Sequence, residues 1–351
     1  MRTWSYPRIE DFVMDTSPQS ARRPRWLLRG VLGFVVVYVL VVLALMWWWD
    51  TEPTHFDPVK AAQTRATAKQ QPVVVGSVTT SALIDSAQTM LDKRGGYLSN
   101  DRFPPGVLMD NIPNWEFGVL TATRDLTRAL RNEFSRSQTQ SVEDKDLQEA
   151  EPLFNSSNDR WLLPSSESQY RKAIARVDSY ATRLADNNQG DAQFFARADN
   201  LADYLQMASA RLGSLSQRLS ASVGQVRIDT GNANNPNTPQ SEPAASPRID
   251  KTPWTKIDDN FYEARGYTWA LREQLEAMRV DFGQVLRDKN AMVSLEQVIR
   301  ELEEAQKPLG SPIVLNGSPF GFFANHSLVL ANYVSRANAA LIELRELLKR
   351  G

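Results

Sequence analysis

The run GVLGFVVVYVLVVLALMWWW, residues 30–49, limits the possible folds of this chain more than any other stretch. It contains twenty residues and no charge. As a helix rising about 1.5 Å per residue it covers about 30 Å, the thickness of a bilayer's hydrocarbon core. In lipid the backbone must satisfy its own hydrogen bonds, which overrides the modest helix preference of valine. Arg22, Arg23, Arg25 and Arg29 precede the run, and Asp50 and Glu52 follow it. This asymmetry holds the N-terminus in the cytoplasm and exports the remainder. Trp47, Trp48 and Trp49 then fall at the outer interface, where amphipathic rings are at home, with Trp26 on the inner side. The run is too long for the apolar core of a signal peptide, and no small-x-small cleavage site follows it.

Beyond the anchor, apolar residues recur every three or four positions, the period of a helix rather than a strand. A helix is predicted from Ser77, as its cap, to about Arg94, with Gly95-Gly96 ending it. Further helices are predicted from Trp115 to about Ser137, from Val142 to Glu151, from Ser165 or Ser166 to Leu184, and from Ala192 to Ala221. Asn187, Asn188 and Gly190 form the stop between the last two. After Trp254, Tyr267, Leu271, Leu275, Met278, Phe282 and Leu286 make one stripe, and a final helix runs from Leu328 to Lys349. The expected fold is all-α: a single N-terminal transmembrane helix, then an antiparallel bundle of five to seven amphipathic helices. The expected boundaries are a cytoplasmic arm at 1–29, the transmembrane helix at 30–49, a periplasmic linker at 50–76, a helical region at 77–223, a flexible linker or long loop at 224–253 and a second helical region at 254–351. The stretch DTGNANNPNTPQSEPAASPR, within 224–253, buries too little area to offset its chain entropy.

The available chemistry is narrow. Cysteine is absent and the histidines are His55 and His326. That excludes disulfides, thiolate nucleophiles and cysteine–zinc sites, and no metal or cofactor is expected. Forty basic residues stand against 41 acidic ones, so no bulk positive charge argues for nucleic acid. There is no HExxH, P-loop, Rossmann glycine fingerprint or GxSxG elbow.

Two loops hold the remaining candidates. GGYLSNDRFPPGVLMDNIPNWEFG, residues 95–118, supplies Asp101, Asp110 and Glu116 as carboxylates for acid–base work, with Tyr97, Phe103 and Trp115 as rings lining a glycan cleft or a partner surface. The first reading of the same residues is a connector in which glycines end a helix, prolines shape turns, and Asp101 and Asp110 close Asx turns. NGSPFGFFANHS, residues 316–327, offers Phe322, Asn325 and His326 as a ligand or partner surface. There the alternative is a helix boundary, with Asn325 or Ser327 as cap and His326 as a neutral hydrogen-bonding ring. Phe320, Phe322 and Phe323 are expected to plug the space between helix pairs rather than stand exposed. His55, in the proposed stalk, is set aside.

The membrane span, GGYLSND, PGVLMDNIPNWEFGVL, RDLTRALRNEFSRSQ and NGSPFGFFANHSLVLANY together resemble a family of uncharacterised bacterial membrane proteins, DUF2333. The resemblance covers nearly the whole chain. It implies a bacterial inner-membrane protein, and it brings no catalytic residues with it. The expectation is therefore a membrane-anchored periplasmic interaction or scaffolding protein of the cell envelope, not an enzyme. Inner-membrane lipid partners the anchor, and an envelope protein or a second copy partners the helix faces. A cell-wall glycan-processing hydrolase and a ligand-sensing or transport accessory protein are the alternatives. Alkaline phosphatase fused after Asp50 is expected to be active in cells; an inactive fusion whose cytoplasmic reporter counterpart is active would overturn the topology.

Overall fold

The computed structural model describes residues 25–138, 141–186, 191–227 and 248–350. Its helices are α1 (Arg25–Trp49), α2 (Pro58–Lys69), α3 (Ser77–Asp92), α4 (Asn111–Ala129), α5 (Lys145–Phe154), α6 (Ser166–Leu184), α7 (Ala198–Ser220), α8 (Ile257–Asp281), α9 (Gly283–Asp288), α10 (Met292–Ala305) and α11 (His326–Lys349). Two short strands, β1 (Gln225–Arg227) and β2 (Arg248–Asp250), pair antiparallel with Val226 opposite Ile249. The chain forms two compact units, Met1–Leu45 and Met46–Gly351; the second is called the body below. The first unit's described part, residues 25–45, lies wholly in α1. Leu28–Trp49 within that helix has a mean hydropathy of 2.7 and is long and apolar enough to cross a membrane.

Several boundaries move for identifiable reasons. Within residues 50–76, expected as a linker, Pro58–Lys69 forms α2. Asp57 caps it, accepting from the amides of Val59 at 3.0 Å and Lys60 at 3.2 Å, and Pro58 opens the first turn with no amide to lose. Ala62 packs α2 against Val78, Ala82 and Ala277. A contact face made only of Pro58, Val59 and Ala62 leaves the helix polar overall, so its sequence reads as linker. Ser77 does not cap α3. Its hydroxyl accepts from the Val74 amide at 3.0 Å, and Asp281 of α8 takes the Thr79 amide at 2.7 Å. Ser165 and Asn325 do cap α6 and α11, accepting from the amides of Ser168 and Leu328. α4 starts at Asn111, because Pro113 is tolerated in a first turn, and continues into a π turn at Leu130–Phe134. α7 starts only at Ala198. The stop at 187–190, most of the 224–253 segment and residues 1–24 of the arm lie outside the described residues.

One hydrophobic core gathers side chains from both expected helical regions. Its axis is the pair α4 and α8, which run in the same sense. Trp115 meets Trp269, the Ala122 carbonyl accepts from Gln274 Nε2 at 3.2 Å, and Phe134 meets Phe282. Gln274 also accepts from the Tyr204 hydroxyl at 2.6 Å, which ties in α7. The two backbones touch because each helix offers a glycine. A Cβ on Gly266 would lie 1.9 Å from the Trp115 carbonyl oxygen, and one on Gly118 would lie 2.1 Å from that of Glu263. Around this axis, α3 packs on α6 and α8, α5 on α6, and α10 on α8 and α11. α7 and α11 pair antiparallel, with Ser209 on Asn338 and Ser216 on Ser335.

Gly266→Ala is expected to destabilise the full chain by about 3 kcal/mol, the upper end of overpacking costs, because the obstructing atoms are backbone. Gly213→Ala is the comparison, since its nearest neighbour would be a side-chain nitrogen at 3.6 Å. Thermal unfolding in detergent, followed by circular dichroism, should show a lowered midpoint for the first variant and not the second.

Candidate functional site

The connector between α3 and α4 is built around a buried carboxylate. Glu116 is fully buried. Its Oε1 accepts from the Leu98 amide at 2.8 Å, and its Oε2 from the Ser99 amide at 2.9 Å and hydroxyl at 2.5 Å. Lys93, its side chain also buried, donates to Glu116 and to the Gly96 carbonyl. Gly95 and Gly96 make this possible at φ +82° and +74°, left-handed values that open to residues without a Cβ. Both oxygens of Glu116 are thus engaged in holding the loop.

The other candidate acids do not converge on one point. Asp101 is half-buried, at a place where a Cβ on Gly106 would lie 1.9 Å from its Oδ2. Burial raises its carboxyl above the usual range, and the charges of Glu116 and Glu167 add to the rise. Asp110 is exposed at the start of α4, and its charge acts on Asp50 and Asp258 instead. Trp115 is fully buried, with its ring centroid 5.2 Å from that of Trp269, and Tyr97 is buried edge-on against Tyr170. Neither lines an open cleft. Among the described residues no three His, Asp or Glu side chains are grouped to hold a metal ion.

Phe103 is the ring that the connector does expose. The Asn155–Ser165 loop between α5 and α6 is fastened beside it by three hydrogen bonds. Tyr97 Oη donates to the Asn158 carbonyl at 2.9 Å, Asn100 Nδ2 to that of Arg160 at 3.1 Å, and Arg102 Nη2 to that of Asp159 at 3.0 Å. Phe103 meets Trp161 edge-on at 6.2 Å. Phe103 is 69% exposed, and Leu162 and Leu163 follow Trp161 at 69% and 92%. Exposed Arg102, Asp159 and Arg160 accompany these residues. An aromatic and aliphatic centre with a charged rim is the anatomy of a protein-binding surface.

A second locus is the segment that leaves α1. Arg265 Nε donates to Glu52 at 2.6 Å, its Nη2 reaches the other Glu52 oxygen, and its Nη1 donates to the carbonyls of Ala305 and Lys307. His55 Nδ1 lies 2.5 Å from a carboxylate oxygen of Glu273, which is fully buried. The His55 ring stacks over Trp269 at 6.0 Å, and Phe56 meets Trp269 edge-on. Beside these residues opens a cavity of about 700 Å³, whose walls include Trp47, Trp48, His55, Arg265, Trp269 and Pro312. His55 is therefore part of the body and not of a free stalk.

The third locus corrects an expectation. Phe320, Phe322 and Phe323 plug nothing; they are 102%, 98% and 70% exposed. They top a hairpin whose base is closed by the Gly317 amide donating to the Ala324 carbonyl at 3.0 Å and the His326 amide to that of Leu315 at 2.9 Å. His326 Nδ1 accepts from the Leu315 amide at 3.0 Å, and Asn325 caps α11.

Residues 21–351 match the family described as uncharacterized protein conserved in bacteria (DUF2333). The chain belongs to that family. No curated protein and no solved structure matches it. This DUF2333 protein is all-α and membrane-associated, with one apolar N-terminal helix suited to anchoring it. Sequence reasoning missed Trp161, Leu162 and Leu163, although an apolar triplet between turn-forming residues, in DRWLLPSS, was a usable signal. It also missed Trp269 and Glu273, which look like ordinary positions along α8.

Glu116→Gln leaves Lys93 buried without a counter-charge, and breaking such a pair costs about 3–5 kcal/mol. The DUF2333 chain should therefore unfold at a clearly lower temperature, whereas Asp110→Asn, at an exposed site, should change its stability by less than about 0.5 kcal/mol. The Leu315–His326 bond adds a pH dependence. Burial depresses His326, so the folded state favours its neutral ring. Stability from that bond is present above the ordinary histidine value of about 6.5 and is lost as pH falls below it toward the depressed value. The protection factor of the Leu315 amide in hydrogen exchange should accordingly decline below about pH 6.5.

Proposed function

We propose that this protein is a membrane-anchored interaction or scaffolding protein of the bacterial cell envelope, its body on the periplasmic side of the inner membrane. The arginines before the span and the acids after it support that sidedness. The observation that carries the interaction reading is the Phe103–Trp161–Leu162–Leu163 surface. It is apolar, exposed, and held in shape before any partner arrives by the three bonds between its two loops. Preformed surfaces of this kind lose little freedom on binding, so the ordering cost that opposes association is small. Hydrolysis of glycan has less support. It needs two carboxylates facing one cleft, whereas Glu116 is occupied by Lys93 and the Leu98–Ser99 backbone.

A photo-crosslinking phenylalanine analogue at Phe103, and separately at Leu163, tests this in living cells. Both positions are expected to yield one and the same adduct, with an envelope protein or a second copy, and Trp161→Asp should abolish it. Full-length, membrane-located protein that gives no adduct at either position would overturn the reading.

A further inference from the structure

We propose that the Ser318–Phe323 hairpin is a second membrane contact, its phenylalanines entering the same bilayer that holds α1. Three observations meet there. The first is chemical. From Pro308 to Asn325 there is no charged residue, and Phe320 and Phe322 touch almost nothing of their own chain while Phe323 and Ile313 are largely bare. Rings fully in water forgo the burial that normally places such residues, so a medium outside the chain must cover them. The missing charge separates this surface from the Phe103 patch, whose rim carries both signs. It fits hydrocarbon and not headgroup electrostatics.

The second observation is rigidity. Asn325 Nδ2 donates to Asn316 Oδ1 at 2.8 Å and to the Gly317 carbonyl at 2.7 Å, while its oxygen caps α11. A Cβ on Gly317 would lie 2.2 Å from the Phe323 carbonyl oxygen, so the two arms are in close contact. The tip closes through the Gly321 amide donating to Ser318 at 2.9 Å. The rings therefore stand on a finished hairpin, and their insertion orders little further chain.

The third is place. Ser311 and Pro312, on the arm leading to the hairpin, line the same cavity as Trp47 and Trp48. Those tryptophans mark the interface where the anchor leaves hydrocarbon. Phe320 lies eight positions after Pro312, a stretch that spans at most about 28 Å. The tip is thus tied within reach of the headgroup layer. Asn111 Nδ2 donates to Asp50 Oδ2 at 3.2 Å at the same exit, and exposed Leu108 stands three residues before it in sequence. Continuity with the anchor selects lipid as the medium that covers the rings.

The chain lacks cysteine, so a single introduced one reports without background. Phe322→Cys and Leu163→Cys, each carrying an environment-sensitive fluorophore on the full chain, are reconstituted into phosphatidylethanolamine–phosphatidylglycerol vesicles and into neutral phosphatidylcholine vesicles. The label at position 322 is expected to shift to the blue, to lose most of its emission to nitroxides on lipid acyl chains, and to resist aqueous iodide, in both lipid mixtures. Three results overturn the proposal. They are an unshifted label quenched by iodide, a label shielded from iodide yet untouched by lipid nitroxide (a protein pocket covers the tip), and equal nitroxide quenching at positions 163 and 322. Ser318→Cys, at the hairpin's shoulder, gives the same reading if circular dichroism shows Phe322→Cys misfolded.

Discussion

The backbone of α4 rests directly on the backbone of α8 at Gly118 and Gly266, and the arrangement of the body follows from that contact. With no Cβ on either side, Trp115 and Trp269 are brought ring to ring. On α4 the next residue, Glu116, is then aimed at the connector that it organises. On α8 the far side of Trp269 is left as a platform for His55 and Phe56. One crossing thus sets both the shape of the connector and the docking of the segment that leaves the anchor.

Where the chain has no apolar period to guide it, buried charge does the guiding. The connector is held by Lys93 and Glu116, and the exit segment by Glu52 with Arg265. Desolvation cancels much of the attraction in such pairs, so their net contribution to stability is small. Removing one member is another matter, because the other charge is left stranded. We take their role here to be the choice of a single loop conformation over its competitors, in segments where hydrophobic burial alone would permit several.

Most helices were legible because burial on one face imposes a 3.6-residue period, as the Tyr267-to-Leu286 stripe shows. Caps that act on neighbouring residues, such as Ser165 and Asn325, were legible for the same local reason. The cap of α3 was not, since its acceptor, Asp281, comes from a remote helix. Nor was α2, whose small contact face of Pro58, Val59 and Ala62 leaves no stripe to read. The phenylalanines of the 316–327 segment announced an apolar environment without saying whose, and burial within the chain was the wrong choice between the two. Glu116 looked like a candidate acid because sequence shows a carboxylate but not the amides that two left-handed glycines turn toward it.

The antiparallel pairing of β1 with β2 has a consequence for how this fold tolerates change. Paired strands lie about 4.8 Å apart, so the chain departs at Arg227 and returns at Arg248 through neighbouring points. The ladder holds these two points together whatever the length of the connection between them, here twenty residues in the sequence. Lengthening such a loop adds only a slowly growing entropy term. The ladder thus works as a clasp, giving the protein a site where sequence can be gained, lost or exchanged while the packing of the helices stays as it is.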